Sequence, residues 1–197
     1  MTSAIILLLA TYAFVMSITP GPNNIMLAAS GLRFGFWPTL PHMMGITAGF
    51  ALLMIVAGLG IGALVTAEPR LHLVLKIAGA AYLLYLAWKL WRAGAPGEAT
   101  GAKPLGFFGA AAFQFVNPKA WVMAVTAVAT FVPEGEGYLQ SLLIGTAVFS
   151  AVNFPSVGVW AAFGAAIRRW LDNPSVLRWL NRTMAVLTAA CVVMILI

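Results

Sequence analysis

Two short segments of this chain carry residue types that can hold a zwitterion. Thr19-Pro20-Gly21-Pro22-Asn23-Asn24 sets hydroxyl and amide groups around two prolines and a glycine, and Asn117-Pro118-Lys119 sets an amide and an ammonium around a third proline. A ligand with a carboxylate and an ammonium, once out of water, must be given donors at one end and acceptors at the other. Proline removes an N–H and so frees a backbone carbonyl. Those carbonyls, with Ser17, Thr19, Asn23, Asn24 and Asn117, can accept from an ammonium. A half-helix starting near Asn23 presents unpaired N–H groups and the positive end of its dipole, which suits a carboxylate.

Both segments interrupt apolar runs, and that decides which elements must position them. Hydrophobic residues make up 62% of the 197 positions and charged residues 8%, with a mean hydropathy of +0.96. A soluble domain carries roughly 25% charged residues, so this chain belongs in a bilayer. The apolar runs are Ala4 to Leu32, Pro41 to Thr66, Leu71 to Trp91, Gly106 to Val132, Leu139 to Ile167 and Val176 to Ile197. At roughly 20 residues per span they predict an all-α membrane protein of about six transmembrane helices. The first run reads as a retained span, because no Lys or Arg precedes it and no cleavage site follows it.

Turns are expected at Arg33 to Pro38, Ala67 to Arg70, Pro133 to Gly137 and Arg168 to Pro174, and a Gly/Ala/Pro-rich linker at about 93–105 carries Glu98 and Lys103. The chain therefore reads as a single transporter domain over residues 1–197, with one repeat at about 1–92 and a second at about 106–197. Arg33, Lys89, Arg92, Lys103, Arg168, Arg169 and Arg178 fall on one side of such a bundle. Arg70, Lys76, Glu68, Glu134 and Glu136 fall on the other. The basic side should be cytoplasmic, which places both termini in the periplasm and inverts the second repeat relative to the first. The net charge of +6 and the pI near 10.0 follow from this asymmetry and imply no nucleic-acid partner.

A backbone break is tolerated at membrane depth only where protein, ligand or a wet cavity takes over the bonding. One kink alone is ordinary, but broken first and fourth helices at matching places in two repeats are where secondary transporters hold substrate. Lys119 lies midway along its run, about 20 Å from either end at ~1.5 Å per residue. A charge there costs about 2.5 kcal/mol or more unless paired or wetted. Three roles remain open for it: binding a substrate carboxylate, coupling protons, or bonding the carbonyls that Pro118 frees. Trp88 and Trp91 beside Lys89 and Arg92, and Trp170 beside Arg168 and Arg169, read as an interfacial belt. His42 and His72 read as interfacial residues. Gly45, Gly49, Gly58, Gly60 and Gly62 read as close-packing positions on the second span, and Cys191 as a small packing residue.

The opening block with Gly35 and Phe36 after it, Gly45 to Gly49, the block from Lys76 to Lys89, and Phe113 to Ala120 together resemble the LysE/RhtB family of bacterial amino-acid exporters. Thr19 to Asn24, the Lys103-Pro104 entry into the fourth span and Ala127 to Pro133 are most like its cysteine and O-acetylserine exporter branch. The resemblance implies a bacterial inner-membrane secondary transporter that exports small amino acids and uses the proton gradient. Some members of that family carry an acidic residue in the fifth span about where Asn153 stands here, and the resemblance thereby makes Asn153 a candidate site residue and leaves the coupling chemistry open. No span carries a carboxylate. Coupling could then run through Lys119 or His42.

The substrate path is therefore expected to involve Thr19, Pro20, Gly21, Pro22, Asn23, Asn24, Asn117, Pro118, Lys119 and Asn153. No cofactor, metal or catalytic residue is expected, since two histidines and one cysteine far apart build neither a nucleophile–base pair nor a metal cluster. The partners are an amino-acid substrate and the lipid bilayer, with homo-oligomerisation open. The rival reading is a channel or facilitator for a small solute or ion, because broken helices also build selectivity filters.

Overall fold

The structure is a computed structural model that describes residues 1–62, 67–92, 104–170 and 174–196. Residues 93–103 of the expected linker, with Glu98 and Lys103, lie outside the described residues, as do Asp172 and the side chains of His72, Arg169 and Trp170. The helices are α1 (Ser3–Ile18), α2 (Pro22–Phe34), α3 (Phe36–Val56, continued by a π-helical turn at Ala57–Ile61), α4 (Pro69–Trp91), α5 (Phe107–Val116), α6 (Pro118–Phe131), α7 (Tyr138–Trp170) and α8 (Pro174–Leu196). The order is a broken helix and two long ones, then the same again. Among the described residues three helices are long and apolar enough to cross a membrane, and a fourth crossing is made if α1 and α2, bent by 59°, count as one span. The protein is an all-α membrane protein.

Both breaks fall at the prolines and for the same reason. Pro22 and Pro118 each occupy the first turn of the half-helix that follows, where an N–H would have no intrahelical partner in any case. The residues ahead of them, Gly21 at φ −176° and Asn117 at φ −92°, are extended, as the residue before a proline prefers.

The second apolar run starts earlier than its sequence suggests. Pro41, taken above as the start of a span, lies inside α3, and Arg33 to Pro38 is not a turn but a corner at one residue, Gly35. Gly35 has φ +89°, a left-handed conformation that costs a glycine nothing. It lets α2 pass directly into α3, and Thr39 Oγ1 donates back to the Gly35 carbonyl at 2.8 Å. The expectation for His42 changes with it: His42 is 1% exposed, not interfacial, and its Nδ1 sits 3.2 Å from Ser30 Oγ.

Glycines close the bundle. A Cβ on Gly45 would overlap the Phe107 carbonyl, and one on Gly49 would come within 2.5 Å of Ala111 Cα, so α3 and α5 touch backbone to backbone. Gly58 instead makes room for the Leu142 side chain, whose Cδ1 would lie 2.6 Å from a Cβ there. Gly60 differs, since nothing lies within 4 Å of it and its φ of +98° marks a bend in the π turn rather than a packing contact. A reciprocal crossing joins α2 to α7, where Gly31 lies on the Ala161 carbonyl and Gly164 on the Ala28 carbonyl. Lipid tails are as apolar as leucine, so such close approach, rather than a hydrophobic force, holds helices together in a bilayer.

One core cluster gathers Leu9, Phe50, Leu53, Met54, Ala124 and Phe149, with Phe50 stacked on Phe149 at 4.4 Å. Cys191 packs into another with Met26, Leu83 and Phe113. Phe108, Trp37 and Leu7 are 85%, 75% and 68% exposed, an outer surface that suits lipid. The belt expected around Trp88 and Trp91 has Arg92 over the Trp88 ring at 4.9 Å and Arg182 over the Trp91 ring at 5.4 Å.

Candidate functional site

The two breaks meet in three dimensions, and Lys119 joins them. Its Nζ donates to the Thr19 carbonyl at 2.9 Å, to Thr19 Oγ1 at 3.0 Å and to the Pro20 carbonyl at 3.3 Å. An ammonium has three N–H groups, so all of them are directed at the first break. This revises the kink-closing role considered above, because the carbonyls that Lys119 satisfies belong to the opposite break and not to its own. Gly21 makes the approach possible, since a Cβ there would lie 3.0 Å from Lys119 Cδ and 3.1 Å from Nζ. Thr19 Oγ1 in turn donates to the Met16 carbonyl at 3.0 Å.

Each break is mended by an asparagine. Asn24 Nδ2 donates to the Ser17 and Thr19 carbonyls, both at 2.8 Å. Asn117 Oδ1 accepts from the Lys119 backbone N–H at 3.2 Å and so caps α6, and Trp121 Nε1 donates to the Phe115 carbonyl at 2.8 Å. The two half-helix starts therefore differ. The start of α6 carries a side-chain cap, whereas that of α2, with Gly21 at the cap position, has none. Its first N–H groups lack intrahelical partners.

Two more polar links complete the site. Asn23 Nδ2 donates to Gln114 Oε1 at 2.8 Å, and Gln114 Nε2 donates back to Asn23 Oδ1 at 3.2 Å and to the Ala110 carbonyl at 2.9 Å. Asn153 Nδ2 donates to Ser17 Oγ at 2.9 Å while its Oδ1 accepts from Thr47 Oγ1 at 3.0 Å. A single side chain of α7 thus ties α1 to α3. Sequence reasoning missed Gln114 and Thr47 as site residues. For Gln114 the signal was present, an amide alone in the apolar run of α5. For Thr47 it was not, because a hydroxyl in a membrane helix bonds its own backbone as readily as a neighbour.

These groups enclose a cavity of about 30 Å³. Its polar lining is Ser17, Asn23, Asn24, Gln114, Asn117, Lys119 and Asn153, with Gly21 and Pro22 at the α2 start and Ile46, Phe50, Met123 and Val157 among the apolar walls. Of the expected site residues, Gly21, Pro22, Asn23, Asn24, Asn117, Lys119 and Asn153 line it. Thr19 and Pro20 stand behind and hold the ammonium, and Pro118 opens α6. The volume has room for about two waters at about 10–15 Å³ each, so an amino acid enters only if the helices part. Among the described residues the lining contains an ammonium, amides, hydroxyls and freed backbone groups but no carboxylate.

Broken helices facing each other across a polar cavity inside an all-helical membrane bundle define the class as membrane translocator. The chain belongs to the LysE type translocator family, whose model matches residues 14–197. It is 34% identical over 199 residues to the cysteine/O-acetylserine efflux protein of Escherichia coli strain K12, with 99% of each chain covered. It is also 35% identical over 189 residues to the protein of that name from Shigella flexneri, with 94% of each covered. No solved structure matches it.

Proposed function

We propose that this chain is a secondary transporter that exports small amino acids or their derivatives, of the cysteine and O-acetylserine kind or other neutral ones, out of the bacterial cytoplasm. The observation that carries the reading is the bridge from Lys119 to Thr19 and Pro20 beside the uncapped start of α2. A carboxylate at that start would meet unpaired N–H groups and the ammonium together. The amides of Asn23, Gln114 and Asn153 and the hydroxyl of Ser17 would then accept from the substrate's ammonium. The names of the efflux relatives support the substrate class. A cavity that must widen to admit anything larger than water supports a carrier over an open channel.

We read the export as driven by the proton gradient. With no carboxylate in the described lining, Lys119 is the ionisable group at the cavity whose charge could change in the cycle. The end of the bundle that holds Arg33, Lys89, Arg92 and Arg168 is taken as cytoplasmic from the basic excess, and the repeats as inverted. Reporter fusions after Arg92 and Arg168 should then read as cytoplasmic, and fusions after Glu134 and Ile197 as periplasmic. A cytoplasmic C-terminus would remove the inverted repeat.

The function is tested with purified protein in liposomes loaded with labelled neutral, sulfur-containing and basic amino acids. Saturable efflux, accelerated by unlabelled substrate on the far side, is the expected result for the neutral or sulfur-containing members. Flux that rises linearly with concentration and shows no exchange would overturn the carrier in favour of a channel.

A further inference from the structure

A second cavity lies at the end of the bundle assigned to the cytoplasm, and nothing in the transport site accounts for it. It measures about 460 Å³, within the range of about 300–1,000 Å³ typical of small-molecule sites. Three helices and the segment leading into α5 contribute to it: Met26, Ser30 and Arg33 from α2, His42 from α3, Lys89 from α4, and Leu105 ahead of α5.

Its position relative to the central cavity follows from one helix. Asn23, Met26, Ser30 and Arg33 are spaced by three, four and three residues, so they share one face of α2. Asn23 lines the central cavity and the other three line the larger one. The two cavities are therefore successive stations along a single stripe, divided at Met26 and the Asn23–Gln114 pair.

The charge in the larger cavity is of one sign. Arg33 is half-buried and Lys89 exposed. Among the described residues neither guanidinium nor ammonium is paired with a carboxylate, and the contacts they make are with the aromatic faces of Phe34 at 5.3 Å and Tyr85 at 5.4 Å. Two cations at the mouth of a cavity attract an anionic group and raise its local concentration. Deeper in, the Ser30 hydroxyl meets His42 Nδ1, and His42 Nε2 is buried without a hydrogen-bond partner. The floor thus holds polar groups in an otherwise apolar wall.

We infer that this cavity is a second, outer amino-acid-binding site, in which Arg33 and Lys89 take the substrate carboxylate before it passes along α2 to the central cavity. The inference rests on the transporter reading above and adds to it a place and a chemistry for cytoplasmic capture. A lipid phosphate offers the same anionic oxygens as a carboxylate, so the test must separate the two.

The experiment measures substrate-dependent transport from the Arg33 face in liposomes, with wild type, Arg33→Gln and Lys89→Gln. It is run once in zwitterionic lipid alone and once with anionic lipid added. The expected result is a rise in KM of about tenfold or more for each variant, the size of one charge-assisted hydrogen bond, with kcat nearly unchanged and the same ratio in both lipids. An unchanged KM, or a rise confined to anionic lipid, would overturn the outer site, the latter by showing a headgroup contact. Leu90→Trp, which fills the cavity from α4, should slow transport from that face while leaving the amount of folded protein intact. Normal transport by Leu90→Trp would also count against the site. Absence of transport by the wild type would instead sink the transporter reading itself, so the two failures are distinguishable.

Discussion

Lys119→Met is expected to weaken substrate binding and transport by about 10-fold to 150-fold, while the protein still inserts and folds. The size follows from replacing a charge-assisted contact, worth about 1.5–3 kcal/mol, at the one position where an ammonium faces the uncapped start of α2. In the structure that ammonium is occupied by Thr19 and Pro20. On the proposed reading, a carboxylate arriving at α2 would exchange one set of acceptors for a better one and so loosen the bond between the two halves. Lys119→Arg keeps the charge and should retain part of the binding, reduced because a planar guanidinium does not fit three acceptors arranged for an ammonium.

The assays are binding to the purified protein, exchange between equal pools, and uphill efflux under a pH gradient. Loss of all three with Met fits carboxylate binding. Survival of exchange with loss of uphill efflux would leave Lys119 with proton coupling alone, because exchange needs no net proton movement. Normal efflux by the Met variant, once corrected for the amount folded, would leave only a structural clamp.

How much of this was legible in the sequence depends on how far apart the partners stand along the chain. The breaks themselves could be read locally. Proline fixes where a backbone bond is missing, so α2 and α6 begin where Pro22 and Pro118 require, and Asn117 next to Pro118 is a ready cap for α6. The expectation that Lys119 lies at mid-depth is also local, since it follows from counting residues between polar ends. What Lys119 touches is not. Thr19 lies 100 residues away, and no periodicity links the two positions, so the sequence offers only the carbonyls of its own kink as protein partners for the amine, one of three roles left open.

His42 was misplaced for a related reason. Pro41 looks like the start of a span, but a single left-handed glycine at Gly35 lets α3 begin five residues earlier, which turns a residue expected at the interface into one buried against Ser30. The α2–α7 crossing at Gly31 and Gly164 also depends on which helices meet, and composition alone does not carry that.

The Asn23–Gln114 pair shows best why stability and transport must be measured separately. In the closed cavity each amide satisfies the other, donor to acceptor in both directions. The pair thus keeps two polar side chains content in a space too small for substrate. An amide can turn a donor to a carboxylate and an acceptor to an ammonium, so when the helices part the same two groups can re-pair with either end of a zwitterion. Gln114→Leu alone leaves the Asn23 amide without its partner and should lower the stability of the purified protein by about 1–3 kcal/mol. Asn23→Leu should do the same to Gln114.

The double variant removes both polar groups together and should return most of the lost stability, since replacing both partners by apolar groups of similar shape is nearly neutral. It should not return transport. All three variants are expected to lose most counterflow activity per folded molecule, because each lacks an amide that the substrate needs. Thermal unfolding in detergent and counterflow in liposomes give the two readouts. If the double variant transported at the wild-type rate, the amide pair would be packing only, and the substrate's ammonium would have to be held by Ser17 and Asn153 without it.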